Sequence, residues 1–86
     1  TMRALTDDER RIILLVKLYQ KENRHGPPWS WIREQSGLSR AETTHYLRRL
    51  RKTRAIIFKH GVMHSTIATN KGVEAALHPE NGEDPQ

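Results

Sequence analysis

Arg40, Arg48, Arg49, Arg51, Lys52, Arg54 and Lys59 crowd one short stretch of the chain, and Glu42 is the only acid among them. Guanidinium and ammonium groups at that density do one kind of chemistry well: they hold phosphate oxygens. The formal net charge of +5 understates the asymmetry, because residues 79–86 carry Glu80, Glu83 and Asp84 and no base. A basic block inside a foldable segment, rather than in a tail, predicts a surface built for a polyanion. The plainer alternative is a solvated helix face, so the spacing has to decide between them.

Other chemistries fit these residues less well. His25, His45, His60, His64 and His78 raise the question of a metal, and His60 and His64 could face one another across a hairpin. With no cysteine and no carboxylate cluster beside them, four ligands are hard to assemble. No metal, cofactor or small-molecule ligand is therefore expected. Serines, threonines and histidines are present, but nothing resembles a nucleophile with its base and oxyanion donors, so catalysis is not expected either. Trp29 and Trp31 could stack on single-stranded bases. Trp31, at helical spacing, fits a core position better, and Trp29, after two prolines, fits a cover for the corner.

The longest apolar run, Ile12 to Val16, is far short of the roughly 18 residues of a membrane span. No signal-peptide pattern opens the chain, since Thr6-Asp7-Asp8-Glu9 follows Arg3 almost at once. These features, with the lack of cysteine, lead to the expectation of a cytoplasmic protein.

The basic block must be positioned by a small number of elements. The 86 residues suffice for one domain, expected over 1–78, with 79–86 as a disordered acidic tail. Thr6 and Glu9 form a capping box that opens a first helix running to about Asn23. Ile12, Leu15, Val16 and Tyr19 make its core stripe. His25-Gly26-Pro27-Pro28 ends it, with Gly26 suited to a left-handed cap. A short second helix is expected over about 30–36, with Ser30 as its cap and Trp31 and Ile32 facing inward. Gly37 then makes a tight corner with Leu38 tucked beneath it.

The next helix, about 39–53, opens with a second capping box, Ser39 and Glu42. Thr43, Leu47 and Leu50, joined by Tyr46, face the core, while Arg40, Ala41, Thr44, His45 and Arg48 lie round the other side. After Arg54 the period falls toward two. Ala55 to Lys59 and His64 to Ala68 read as strands of a hairpin turning through His60-Gly61-Val62-Met63. Thr69 then caps a last helix containing Val73, Ala75, Ala76 and Leu77, stopped by Pro79.

Two short helices joined by a glycine corner, the second basic on its exposed face, predict a helix-turn-helix. The hairpin behind it supplies a wing. The expected fold is thus mainly α (α+β), a winged helix-turn-helix with a short C-terminal helix, and the expected partner is double-stranded DNA. The start of a recognition helix meets base edges in the major groove. Ser39, Arg40, Ala41, Thr44 and His45 are the base-reading candidates, Arg40 for guanine and Thr44 through its hydroxyl or methyl. Arg48, Arg51 and Arg54, with Lys59, His60 and His64 at or near the wing tip, are the phosphate candidates. Arg49 and Lys52 are the bases most readily left to solvent.

Several of these stretches resemble a known family. Met2-Arg3-Ala4-Leu5-Thr6, the Gly26-Pro27-Pro28 break, Ile32 and Gly37, and Leu47-Arg48-Arg49-Leu50 together resemble the DNA-binding domain of LexA repressors over Met2 to Phe58. Thr69-Asn70-Lys71-Gly72 is similar to the segment after the wing in MarR-type regulators. The resemblance implies a winged helix-turn-helix, a bacterial, archaeal or phage origin, and a role in transcription, repression in particular. Where LexA domains read bases with asparagine and paired glutamates, this chain has Ala41, Thr44 and His45, so a different operator is expected. The self-cleaving Ser-Lys protease domain is missing as well. The chain could therefore be a piece of a larger protein or a small regulator in itself.

Winged helices also serve as protein-interaction modules, and accessory roles in replication or recombination fit the same residues. Leu14 and Leu18 lie one turn apart, to the side of the first helix's core stripe. Either the last helix buries them, through Val73 and Leu77, or these four form a homodimer seam. A dimer would favour a pseudo-palindromic site.

Overall fold

A computed structural model describes residues 5–59, 61–62 and 64–77. The expectations placed on Met2 to Ala4, His60, Met63, His78 and the acidic tail lie outside the described residues. The rest forms four helices and one small antiparallel sheet, a mainly helical α+β arrangement.

Helix α1 spans Asp7–Asn23. Thr6 Oγ1 accepts from the Glu9 N–H at 3.2 Å, and the Glu9 carboxylate accepts from the Thr6 N–H at 2.9 Å. Asp7, Asp8 and Glu9 place negative charge in the first turn, where the helix dipole favours it. The buried arc is Ile12, Ile13 and Val16, whereas Leu15 and Tyr19 are only half-buried. That corrects the predicted stripe. α1 packs on α2 and α3 and also on β2 and α4, so its apolar arc is rotated to include Ile13. Arg24 (φ 62°), not Gly26, takes the left-handed cap, its N–H donating to Gln20 O at 2.8 Å.

Gly26 is needed for a different reason. It is buried against the hairpin, where an added Cβ would lie 1.8 Å from the Thr66 carbonyl oxygen. Its N–H donates to His64 O at 3.1 Å, so the connection between the first two helices runs beside the returning strand.

Helix α2, Trp29–Ser36, starts earlier than predicted. Pro28 is its cap residue and Ser30 is not, because the extended backbone of Pro28 (φ −70°, ψ 150°) already points its carbonyl at the Trp31 and Ile32 amides. Gly37 closes the helix at φ 74°, a left-handed conformation that glycine adopts without a Cβ penalty. Leu38 packs half-buried against the core beneath this corner.

Helix α3, Arg40–Lys52, opens as expected: Ser39 Oγ accepts from the Glu42 N–H at 3.1 Å, and the Glu42 carboxylate accepts from the Ser39 N–H at 3.0 Å. Those bonds, the backbone one first, hold the Glu42 carboxyl below the usual carboxylate range. A lowered folded-state pKa contributes stability that is present at neutral pH and disappears as acid protonates the group. A Glu42→Ala variant should therefore melt below the parent at neutral pH and converge with it in acid, as thermal unfolding across a pH series would show.

Strands β1 (Ile56–Ile57) and β2 (Ile67–Ala68) pair in the register Ile56 with Ala68 and Ile57 with Ile67. They are shorter than predicted, because side chains tie together the rest of the hairpin. Ser65 Oγ accepts from the Lys59 N–H at 2.9 Å, and the Trp29 indole N–H donates to Thr66 Oγ1 at 2.9 Å. Helix α4, Asn70–Leu77, is capped by Thr69, whose Oγ1 accepts from the Gly72 N–H at 3.0 Å. It lies along α1 and buries Gly72, Ala75 and Ala76.

Ile12, Ile13, Val16, Ile32, Leu47, Leu50 and Ile56 are the fully enclosed large apolar side chains of the single core. No helix among the described residues is long and apolar enough to cross a membrane.

Candidate nucleic-acid interface

Helix α3 is divided lengthwise. Thr43, Leu47 and Leu50 point into the core, and the capping box with the Thr43 hydroxyl, donating to Ser39 O at 2.8 Å, fixes the rotation of its first turn. At about 100° per residue, the stripe diametrically opposite is Ala41, His45, Arg48 and Lys52. All four are exposed. Ala41 and Thr44 are short, and together with His45, Arg48, Arg49 and Lys52 they line a shallow depression on this face.

Charge on the helix is sorted by neighbours that the sequence does not place. Glu9, almost fully buried, presents its second carboxylate oxygen 3.7 Å from Arg49 Nε. Arg49 is thereby tied to α1 and half-buried, not left to solvent as expected. Lys52 is different, since the helix turn puts it in the centre of the exposed stripe rather than at its edge. Arg51 leans the other way, its guanidinium carbon 4.7 Å above the centroid of the Phe58 ring. A cation over an aromatic face gains about 0.5–2 kcal/mol. Phe58 in turn meets the Trp29 ring edge-on at 5.2 Å, and Trp29 holds Thr66. An unbroken line of contacts thus runs from α3 through the hairpin to α2.

The remaining candidates occupy the margins. Ser39 has its hydroxyl in the cap. Arg40 is exposed on the flank shared with Arg51, a quarter turn or more from the central stripe. His45 is exposed, its ring 5.5 Å from Tyr46. Tyr46 itself turns toward α1, where burial first, then the charges of Asp8, Glu42 and Glu9, raise its pKa and keep its hydroxyl protonated. Arg54 is exposed just past the helix in a left-handed conformation (φ 64°), and Lys59 is exposed on the hairpin. His64 joins a different group. Its Nδ1 lies 2.9 Å from Gly26 O, and its ring is 4.4 Å from that of His25. His25 Nδ1 reaches the same carbonyl at 3.0 Å. Among the described residues no three or more histidines and carboxylates gather where they could hold a metal ion.

On the far side, Leu14, Leu18 and Leu77 are exposed and Val73 is half-buried against the core. α4 therefore does not bury Leu14 and Leu18. Sequence reasoning overlooked Glu9, Phe58 and Trp29 as positioning residues. For Glu9 a signal existed: a capping-box acid in the first turn of a helix that packs on a basic one.

Compared with known proteins, the chain matches no family model and no curated sequence.

Proposed function

We propose that this chain is a winged helix-turn-helix domain that binds double-stranded DNA, with α3 in the major groove, the hairpin as wing, and a role in transcriptional regulation. The observation that carries this reading is the sorting of charge on α3. Its exposed stripe holds Arg48 and Lys52 with no acid among its four residues, Arg40 and Arg51 flank it, and the one base paired with a buried carboxylate lies at its edge. A helix of this kind fits the groove with bases toward phosphates on both rims. The reading includes no catalytic activity.

Arg40, Arg51, Lys52, Arg54 and Lys59 form the phosphate-binding set on this reading. Each neutralised phosphate contributes roughly −0.9 to the slope of log affinity against log salt, so five contacts give a slope of about −4 to −5. Lys52→Ala should weaken binding to every duplex alike and flatten that slope by about one unit. An unchanged slope, measured by titration at several salt concentrations, would remove Lys52 from the interface.

Selection from a random duplex library at two salt concentrations tests the whole reading. One enriched motif, bound much more weakly at high salt, supports it. Absence of binding at low salt overturns it. A second reading is favoured by the exposed Leu14, Leu18 and Leu77 on the face away from α3. There the fold would act as a protein-interaction module or as a homodimer through that seam, and its association would depend little on salt.

A further inference from the structure

We infer that Arg48, at the middle of the exposed stripe, reads a guanine, while Ala41 and the Thr44 methyl seat a thymine methyl group two to three base pairs away. The inference rests on the DNA-binding reading above and makes it specific. Arg40, the residue that position in the sequence favours for guanine, lies on the flank of α3 and is better directed at a phosphate. Arg48 belongs to the exposed stripe on the side away from Thr43, Leu47 and Leu50, with Ala41, His45 and Lys52. It is the one guanidinium in that stripe, the part of the helix that enters a groove most deeply.

Of the guanidiniums on this helix, Arg40 lies on the flank, and Arg48 is the one in the stripe that the described contacts do not engage. Arg49 is drawn to Glu9 at 3.7 Å and Arg51 rests on Phe58 at 4.7 Å. A planar guanidinium at that position matches the N7 and O6 acceptors of guanine with two parallel hydrogen bonds.

Ala41 and Thr44 lie one to two turns nearer the helix start. They are the two short side chains in the depression that His45, Arg48, Arg49 and Lys52 otherwise line. Beside Ala41 and Thr44 the acceptors for a base-edge donor are the Thr44 hydroxyl and the His45 ring, while the alanine and threonine methyls accommodate the C5-methyl of thymine. From Ala41 to Arg48 the helix rises about 10 Å, which spans about three base-pair steps of 3.4 Å. From Thr44 the span is shorter, hence two to three steps.

The test uses the duplex recovered by library selection. Each guanine is replaced in turn by 7-deazaguanine, which lacks the N7 acceptor, and each thymine by uracil, which lacks only the methyl. The parent protein should lose roughly 5- to 100-fold in affinity at one guanine position. Arg48→Ala should bind the unmodified duplex more weakly by a similar factor and should no longer distinguish guanine from 7-deazaguanine there. One uracil substitution, two to three pairs away, should weaken the parent severalfold and leave Ala41→Ser insensitive.

If Arg48→Ala weakens selected and scrambled duplexes equally, and sensitivity to 7-deazaguanine persists, Arg48 is a phosphate contact and the inference fails while the DNA reading stands. Uracil tolerated at every position removes the thymine seat. A parent protein that binds no duplex overturns the DNA reading itself, and the inference with it.

Discussion

Leu47→Ala should lower the unfolding free energy by about 2–5 kcal/mol, the range for truncating a large enclosed aliphatic side chain. Leu47 is 0% exposed and sits in the cluster with Ile32, Leu50 and Ile56, where α3 meets the rest of the core. One methine and two methyl carbons are lost, and the walls of the space come from three separate elements, α2, α3 and β1. A domain of this size has only about 4–13 kcal/mol of stability in all, so the loss is a large fraction of the total. In thermal terms, at roughly 4–8 °C per kcal/mol, the midpoint should fall by about 8–40 °C. Urea unfolding followed by circular dichroism reads this directly. A variant as stable as the parent would mean that α3 is rotated from the orientation described, and every assignment on its exposed stripe would rotate with it.

Gly26→Ala should be comparably damaging, though the residue buries almost no apolar surface. The new Cβ would lie 1.8 Å from the Thr66 carbonyl oxygen and 2.8 Å from the Thr66 nitrogen, so backbone must retreat by more than 1 Å. Overpacking of this kind costs about 1–3 kcal/mol and sometimes more. Retreat of the hairpin also strains the bond from the Gly26 N–H to His64 O and the one from Trp29 to Thr66, each contributing about 1 kcal/mol. A total near 3–5 kcal/mol follows, measured by the same unfolding curves. Duplex affinity of the folded fraction then reports on the hairpin and on Arg51, which rests on the hairpin's Phe58. If that affinity falls further than in Arg51→Ala, the hairpin touches DNA as a wing. If it is unchanged while stability drops, DNA is held by α3 alone.

The two glycines of the inter-helix connections show how far spacing carries an argument. Gly37 was legible, because a corner between two short amphipathic helices demands a positive φ and the residue has one, 74°. Gly26 was assigned the same job and does another. Arg24 takes the left-handed cap at φ 62°, and the glycine is required by the hairpin backbone at Thr66, some 40 residues later in the chain, whose approach no local pattern announces. The second-helix cap failed for a similar reason. A serine is the better cap by side-chain chemistry, but Pro28 has the backbone already extended and its carbonyl in place.

The sequence by itself determined the elements, their order and which side of α3 is buried. Capping boxes, apolar periodicity and turn residues are local signals, written within a few residues of the structure they specify. It also determined that α3 is basic, since composition needs no fold. Tertiary structure alone decided which of those bases are available. Arg49 is drawn toward Glu9 across 40 residues of chain, Arg51 is laid over Phe58 by the return of the hairpin, and Arg48 and Lys52 are left facing outward. The physical reason is range. A helix sets the direction of its own side chains, but whether a charge meets a carboxylate, an aromatic ring or open solvent depends on what packs beside it.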